Sequence, residues 1–129
     1  MNDEPLIAAA RAVRLRAHAP YSGFKVGAAL EAEDGTVFTG CNVENLSFGL
    51  TICAERVAFA TAVAAGHQQF RKLVVCSDSK EPVTPCGACR QVMAEFCDEL
   101  PVLSVNLSGE AFPSKLSILL PRAKAGILG

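Results

Sequence analysis

Neither sign of charge is in surplus: across 129 residues, twelve Lys and Arg face thirteen Asp and Glu, a net charge of -1. Gripping a phosphate backbone demands a strongly basic face, so long nucleic acid is not an expected partner. No apolar run approaches the roughly 18 residues that cross a bilayer, and no membrane partner is expected. Linkers, internal repeats and low-complexity tracts are missing as well. The opening MNDEPLIAAARAVRLR lacks the cationic start and apolar stretch of a signal peptide, so a cytoplasmic location is expected. Half of the residues are apolar and 19% are charged, the composition of one folded domain over residues 1–129. What the chain does have is six cysteines. A disulfide framework suits an oxidising compartment and a chain too poor in apolar residues to hold a core, which this one is not. Thiols or metal ligands are the better reading.

Leu6, Ala9, Ala10, Val13 and Ala17 recur at helical spacing, predicting a helix over 4–18 that halts before Ala19-Pro20, because proline disfavours a helical predecessor. Its Arg11, Arg14 and Arg16 read as a solvated face. Extended segments at 25–33 and 36–43 flank Asp34-Gly35, a dipeptide that accepts the positive φ of a tight turn, so they should pair antiparallel. Residues 52–65 read as an apolar helix closed by Gly66, and 73–76 as a buried strand. Residues 87–97 read as a helix and 102–107 as a strand. Ser108-Gly109 then turns into a short edge segment at 110–112, and Ser114 caps a last short helix ending at Pro121. Strand-helix-strand repetition after a hairpin implies a mixed sheet with helices packed on its faces.

Three of the cysteines stand at helix starts: Cys53, and the pair Cys86 and Cys89 in Pro85-Cys86-Gly87-Ala88-Cys89. Positions three apart share a helix face, and helix N-termini favour the thiolate that binds metal. Zinc is the natural occupant. Most candidates for a fourth ligand fail on reach: Cys97 lies about 12 Å along its helix from Cys89, and His67 some 21 Å from Cys53. Cys76 and Cys41 read as strand thiols in the core. His18 is compatible by spacing, although a histidine at a helix end is usually solvated. Three protein ligands leave the open position of a catalytic zinc, where bound water has its pKa lowered towards about 7. Three thiolates on one dication also need positive compensation, which two helix N-termini and Arg56 can supply. Glu55 lies two residues beyond Cys53, about 200° around a helix, so it should flank the metal as an acid-base group rather than bind it.

Thr51-Ile52-Cys53-Ala54-Glu55-Arg56 and Pro85-Cys86-Gly87-Ala88-Cys89-Arg90-Gln91, together with Phe24-Lys25-Val26-Gly27-Ala28-Ala29 and Asn42-Val43-Glu44-Asn45, resemble the zinc-dependent cytidine deaminases of the small, homotetrameric, all-cysteine type. The resemblance runs over about residues 21–121. It implies an α/β fold, a three-layer αβα sandwich around a five-stranded mixed β-sheet, and hydrolysis of cytidine and deoxycytidine to uridine and deoxyuridine with release of ammonia. It implies one Zn²⁺ per chain on Cys53, Cys86 and Cys89, with Glu55 moving protons from the zinc-bound water to N3 and to the departing amine. Asn42 and Glu44 would then hydrogen-bond the ribose hydroxyl, Phe24 would pack on the pyrimidine, and Ala54 would complete the substrate-binding set. Composite sites of a homotetramer follow from the same resemblance, with Phe48 crossing into a neighbouring site.

Two departures accompany it. Phe48 stands where many relatives carry tyrosine, and Leu119-Leu120-Pro121 is followed by Arg122-Ala123-Lys124 where relatives often carry an aromatic residue that reaches a neighbouring subunit. Ile127 and Leu128 are expected to give apolar cover in its place. A deaminase of another amino-pyrimidine compound such as blasticidin S would share the metal and Glu55, but the Asn42 and Glu44 motif argues against it. The missing fourth ligand disfavours a purely structural zinc module. Near-neutral charge and the lack of an added basic or aromatic surface disfavour a nucleic-acid editing enzyme.

Overall fold

The structure, a computed structural model, describes residues 2–125; the cover expected from Ile127 and Leu128 lies outside the described residues. Its elements are α1 (Glu4–Arg14), β1 (Val26–Ala32), β2 (Val37–Cys41), α2 (Ala54–Ala64), β3 (Phe70–Ser77), α3 (Gly87–Ala94), β4 (Pro101–Asn106), β5 (Ala111–Lys115) and α4 (Leu116–Leu119), with one 3₁₀ turn at Phe48–Leu50. The strands form one sheet in the order β2-β1-β3-β4-β5. β3 and β4 run parallel, joined through α3, and the other neighbours are antiparallel. The mixed five-stranded sheet is the one the resemblance implies.

Alternation along the strands divides the core into two layers. Ala29, Val74, Cys76, Leu103 and Val105 pack on Leu6 and Ala10 of α1. Ala28, Leu30, Leu73, Val75 and Val102 face the other way, onto Phe59 of α2, Met93 of α3 and Leu116 of α4. Phe59, Phe70 and Phe96 meet there with ring centroids 5.1 to 5.8 Å apart, adding aromatic packing to plain burial. One helix on one face and three on the other make the αβα sandwich.

The hairpin turn forms as expected. Gly35 has φ +93°, and Asp34 Oδ1 accepts from the Thr36 amide at 2.9 Å, an Asx-type closure. Gly40 has a different reason to be glycine. A Cβ there would lie 2.4 Å from the Ala58 nitrogen and 2.5 Å from the Ala54 carbonyl oxygen, so the first turn of α2 rests on bare β2 backbone. That contact fixes the height of Glu55 above the sheet.

Several element ends differ from expectation. α1 stops at Arg14 because Leu15, Arg16 and Ala17 donate to carbonyls three residues back, a tightened last turn that takes Ala17 off the helix. β2 ends at Cys41, while Val43 makes isolated bridges to His18 and Ile52, so Ile52 precedes α2 instead of opening it. β3 extends back to Phe70, and α3 ends at Ala94. Ser114 caps no helix: it lies within β5 opposite Val102 and donates to the Val102 carbonyl at 3.3 Å. No helix among the described residues is long and apolar enough to cross a membrane.

Candidate active site and metal centre

Cys53 and Cys86 occupy the same structural position, the N-cap of α2 and of α3, with extended backbone (φ -71°, ψ 154° and φ -68°, ψ 168°) and no side-chain cap bond. An N-cap side chain meets the residue three places on, the geometry that lets Ser or Thr and Glu cap one another. Here the partners are Arg56 for Cys53 and Cys89 for Cys86. Arg56 Nη2 lies 3.7 Å from the Cys53 sulfur and also donates to the Thr51 carbonyl at 3.3 Å. Both cysteines therefore hold sulfur at the positive end of a helix.

The two helix starts converge. Cys53 Sγ lies 3.8 Å from Cys86 Sγ, Cys86 Sγ lies 3.4 Å from Cys89 Sγ, and all three sulfurs fall within 4.8 Å of one another. Ligands about 2.3 Å from a tetrahedral zinc stand roughly 3.8 Å apart, so the triad has the span the ion needs. Its protonation makes the same point. The Cys53 thiol is pulled down to about 5, first by hydrogen bonding with Cys89 and then with Arg56 and Cys86. Cys89 is pushed up, first by that bond with Cys53 and then by burial. Without a cation one sulfur ionises at the expense of its neighbour; a dication among them allows all three to do so. Among the described residues, this is the group of three or more His, Cys, Asp or Glu side chains with converging ligand atoms. His18, Cys41, Cys76 and Cys97 are not in it, and His67 pairs instead with Asp34 at 3.1 Å.

Beside the sulfurs opens a cavity of about 270 Å³ lined by Phe24, Asn42, Cys53, Ala54, Glu55 and Cys86, and also by Val83 and Thr84. Glu55 is 6% exposed. Burial pushes its carboxyl up to about 7, the Cys53 charge adds to the rise, and Arg56 opposes it. Cys53 and Glu55 reach one cavity because Cys53 stands outside the helical wheel, so the 200° separation does not apply. Asn42 is almost fully buried. Its Oδ1 accepts from the Val26 amide and its Nδ2 donates to the Phe24 carbonyl, both at 2.8 Å, which ties the start of β1 and Phe24 to the cavity wall.

Glu44, Arg56 and Phe48 do not line the cavity of the single chain. Glu44 accepts from the Tyr21 and Ser22 amides at 3.0 and 3.2 Å and from the Ser22 hydroxyl. The Ser22 hydroxyl, above all, holds the Glu44 carboxyl below its ordinary value. Phe48 is 72% exposed and packs edge-on against Tyr21. Two contributors escaped the sequence reading. Asn106 Nδ2 donates to the carbonyls of Ser79 and Lys80 at 3.1 and 3.2 Å, anchoring the loop that leads to Val83, and Arg90 contacts the same loop nearer Cys86. Arg90 stands one helical turn after Cys86, a spacing that could have flagged it; nothing local marks Asn106.

Comparison with known proteins agrees with this geometry. Residues 1–104 match the family described as the cytidine and deoxycytidylate deaminase zinc-binding region. The chain is 51% identical over 124 residues to a cytidine deaminase of Sporosarcina psychrophila, covering 95% of this chain and 91% of that protein. It is 50% identical over 125 residues to a probable cytidine deaminase of Dictyostelium discoideum, covering 94% and 84%. The crystal structure of cytidine deaminase from Burkholderia pseudomallei superposes with a TM-score of 0.91 at 49% identity, covering 94% of this chain and 98% of that one. Half of the sequence and nearly the whole fold are thus shared, and the chain, whose own thiol triad has zinc dimensions, belongs to the zinc-dependent cytidine and deoxycytidylate deaminases.

Proposed function

We propose that the protein hydrolyses cytidine and deoxycytidine to uridine and deoxyuridine, releasing ammonia, in the salvage of pyrimidine nucleosides. The observation that carries this reading is the buried Glu55 carboxyl facing the same small cavity as Cys53 and Cys86. Cys53, Cys86 and Cys89 would hold one zinc, which when bound supplies a Lewis acid that lowers the pKa of a coordinated water towards about 7. Glu55 would take one proton from the attacking water and deliver it to N3 of the pyrimidine as the C4–O bond forms, then take the remaining hydroxyl proton and pass it to N4 as the C4–N bond breaks and C4 is left as a carbonyl. Arg56 offsets the negative charge of the sulfurs. Phe24 and Ala54 would border the base and Asn42 the sugar from the cavity wall, while Glu44, outside that cavity and held by Tyr21 and Ser22, would reach the sugar hydroxyl from beyond its rim.

Ultraviolet turnover assays with cytidine, deoxycytidine, cytosine and blasticidin S test the assignment: both nucleosides should be deaminated, and turnover of blasticidin S alone would overturn it. Asn42→Ala should cost roughly 1 to 3 kcal/mol in kcat/KM for cytidine, by leaving buried polar partners unpaired. Free cytosine should lose less; an equal loss would mean that Asn42 acts only by holding Phe24.

The active form is a homotetramer with composite sites. Leu46, Phe48 and Leu50 are 77%, 72% and 65% exposed, an apolar run between the Asn42 and Glu44 segment and α2 that suits burial against a symmetric copy. Light scattering at micromolar concentration should give about four times the 13.6 kDa chain mass; a fully active monomer would show that each site is self-contained. The cytoplasm, where thiols stay reduced, suits a site that requires three of them.

A further inference from the structure

Of the three sulfurs, Cys86 has the least support from its surroundings. Cys89 is fully buried within α3, and Cys53 follows the Val43–Ile52 bridge and meets Arg56. Cys86 is exposed, at the end of an irregular segment running from residue 78. Three hydrogen bonds from one side chain meet that segment and a third region of the chain. Arg90 Nε donates to the Pro85 carbonyl at 2.7 Å, Nη2 to the Thr84 hydroxyl at 2.9 Å, and Nη1 to the Leu119 carbonyl at the end of α4 at 2.8 Å. We propose that Arg90 is the positioning residue of the metal loop, its guanidinium clamping Thr84 and Pro85 to the end of α4 and so holding the Cys86 sulfur 3.8 and 3.4 Å from those of Cys53 and Cys89. The inference rests on the proposed ligand set.

The two arginines near the sulfurs thus divide their work. Arg56 points a donor at sulfur and acts by charge. Arg90 directs donors on all three of its nitrogens at oxygen acceptors, and acts by the shape of its planar fork, which a single ammonium cannot reproduce. Thr84 also forms part of the cavity wall, so one clamp sets both a ligand and the space beside it. The Leu119 bond gives the carbonyl at the end of a short helix a charged donor.

The test is the rate at which zinc-loaded protein surrenders its metal to an excess of chromogenic chelator, with circular dichroism to verify the fold and the cobalt-substituted protein to report thiolate geometry. Outer partners of metal ligands usually govern affinity by about 10- to 100-fold, and zinc release should accelerate within that range in both Arg90→Gln and Arg90→Lys, with altered sulfur-to-cobalt bands. Failure of Lys to rescue separates shape from charge. Thr84→Val should show a smaller acceleration and add little on top of Arg90→Gln, since the two share one bond. Parental release from the Arg90 variants, or restoration by Lys, overturns the proposal. If the Arg90 variants do not fold, Thr84→Val alone decides, and its unchanged release overturns it. A parent protein that binds no zinc refutes the ligand assignment instead, so the two failures are distinguishable.

Discussion

Glu55→Gln is expected to keep zinc and fold while lowering kcat by at least about 10²- to 10⁴-fold, the scale of a lost acid-base group. Glutamine fills the same space beside Cys53 but cannot accept a proton, so substrate binding should change far less than turnover. Elemental analysis and steady-state kinetics check the two halves; normal turnover would place proton transfer elsewhere. The substitution also has a stability signature. An unfolded glutamate carboxyl titrates near its ordinary 4.5, whereas burial holds Glu55 near 7. The folded state therefore binds the proton more tightly, and the ionised side chain weakens the fold progressively as pH rises from 4.5 to about 7, by roughly 3 kcal/mol in full. Glutamine lacks this cost. With zinc chelated, the variant should resist urea better than the parent at pH 8 and equally at pH 4, and equal midpoints at pH 8 would show that the carboxylate is not penalised by burial.

Cys86→Ala is expected to abolish zinc binding and activity together. Two sulfurs cannot reproduce the three-point hold, and the binding energy of a metal is coupled to the local fold that presents its ligands. The remaining pair would lose the member that lies close to both, at 3.8 Å from Cys53 and 3.4 Å from Cys89. Cys86 is exposed and belongs to no strand or helix interior, so its removal should leave the sheet intact, and circular dichroism should remain close to the parent. Full activity in a preparation with no metal would overturn the proposed chemistry.

Much of this was legible before any coordinates, and the reasons are local. Asp34-Gly35 announces its turn through the φ it permits, and cysteines three apart announce a pair of sulfurs that can meet at a helix start, although the meeting is made from the N-cap and not along one helix face. What escaped was governed by partners far away in sequence. Ser114 is a reasonable cap by residue type, but pairing with β4 draws it into a strand. Periodicity carries α1 to His18, where a backbone bridge to Val43 takes over. The Arg90 clamp depends on a carbonyl 29 residues further on, which no window around Arg90 contains. Cys53 and Glu55 share a cavity because one lies just before the helix and the other inside it, and a wheel drawn through both positions misplaces them.

The separation of 33 positions between Cys53 and Cys86 has a bearing on the order in which the molecule forms. β3 lies within that interval and at the centre of the sheet, antiparallel to β1 and parallel to β4. No local contact brings the two helix starts together. β3 must first find its register, and α2 and α3 must settle on the same face, both non-local steps that are slow compared with helix or hairpin formation. The complete triad is thus a product of late folding, and a chain emerging from the ribosome through β3 carries only one of its three sulfurs. Zinc should act as a latch on nearly finished molecules: raising its concentration during refolding should slow unfolding of the final state and leave the early collapse rate untouched.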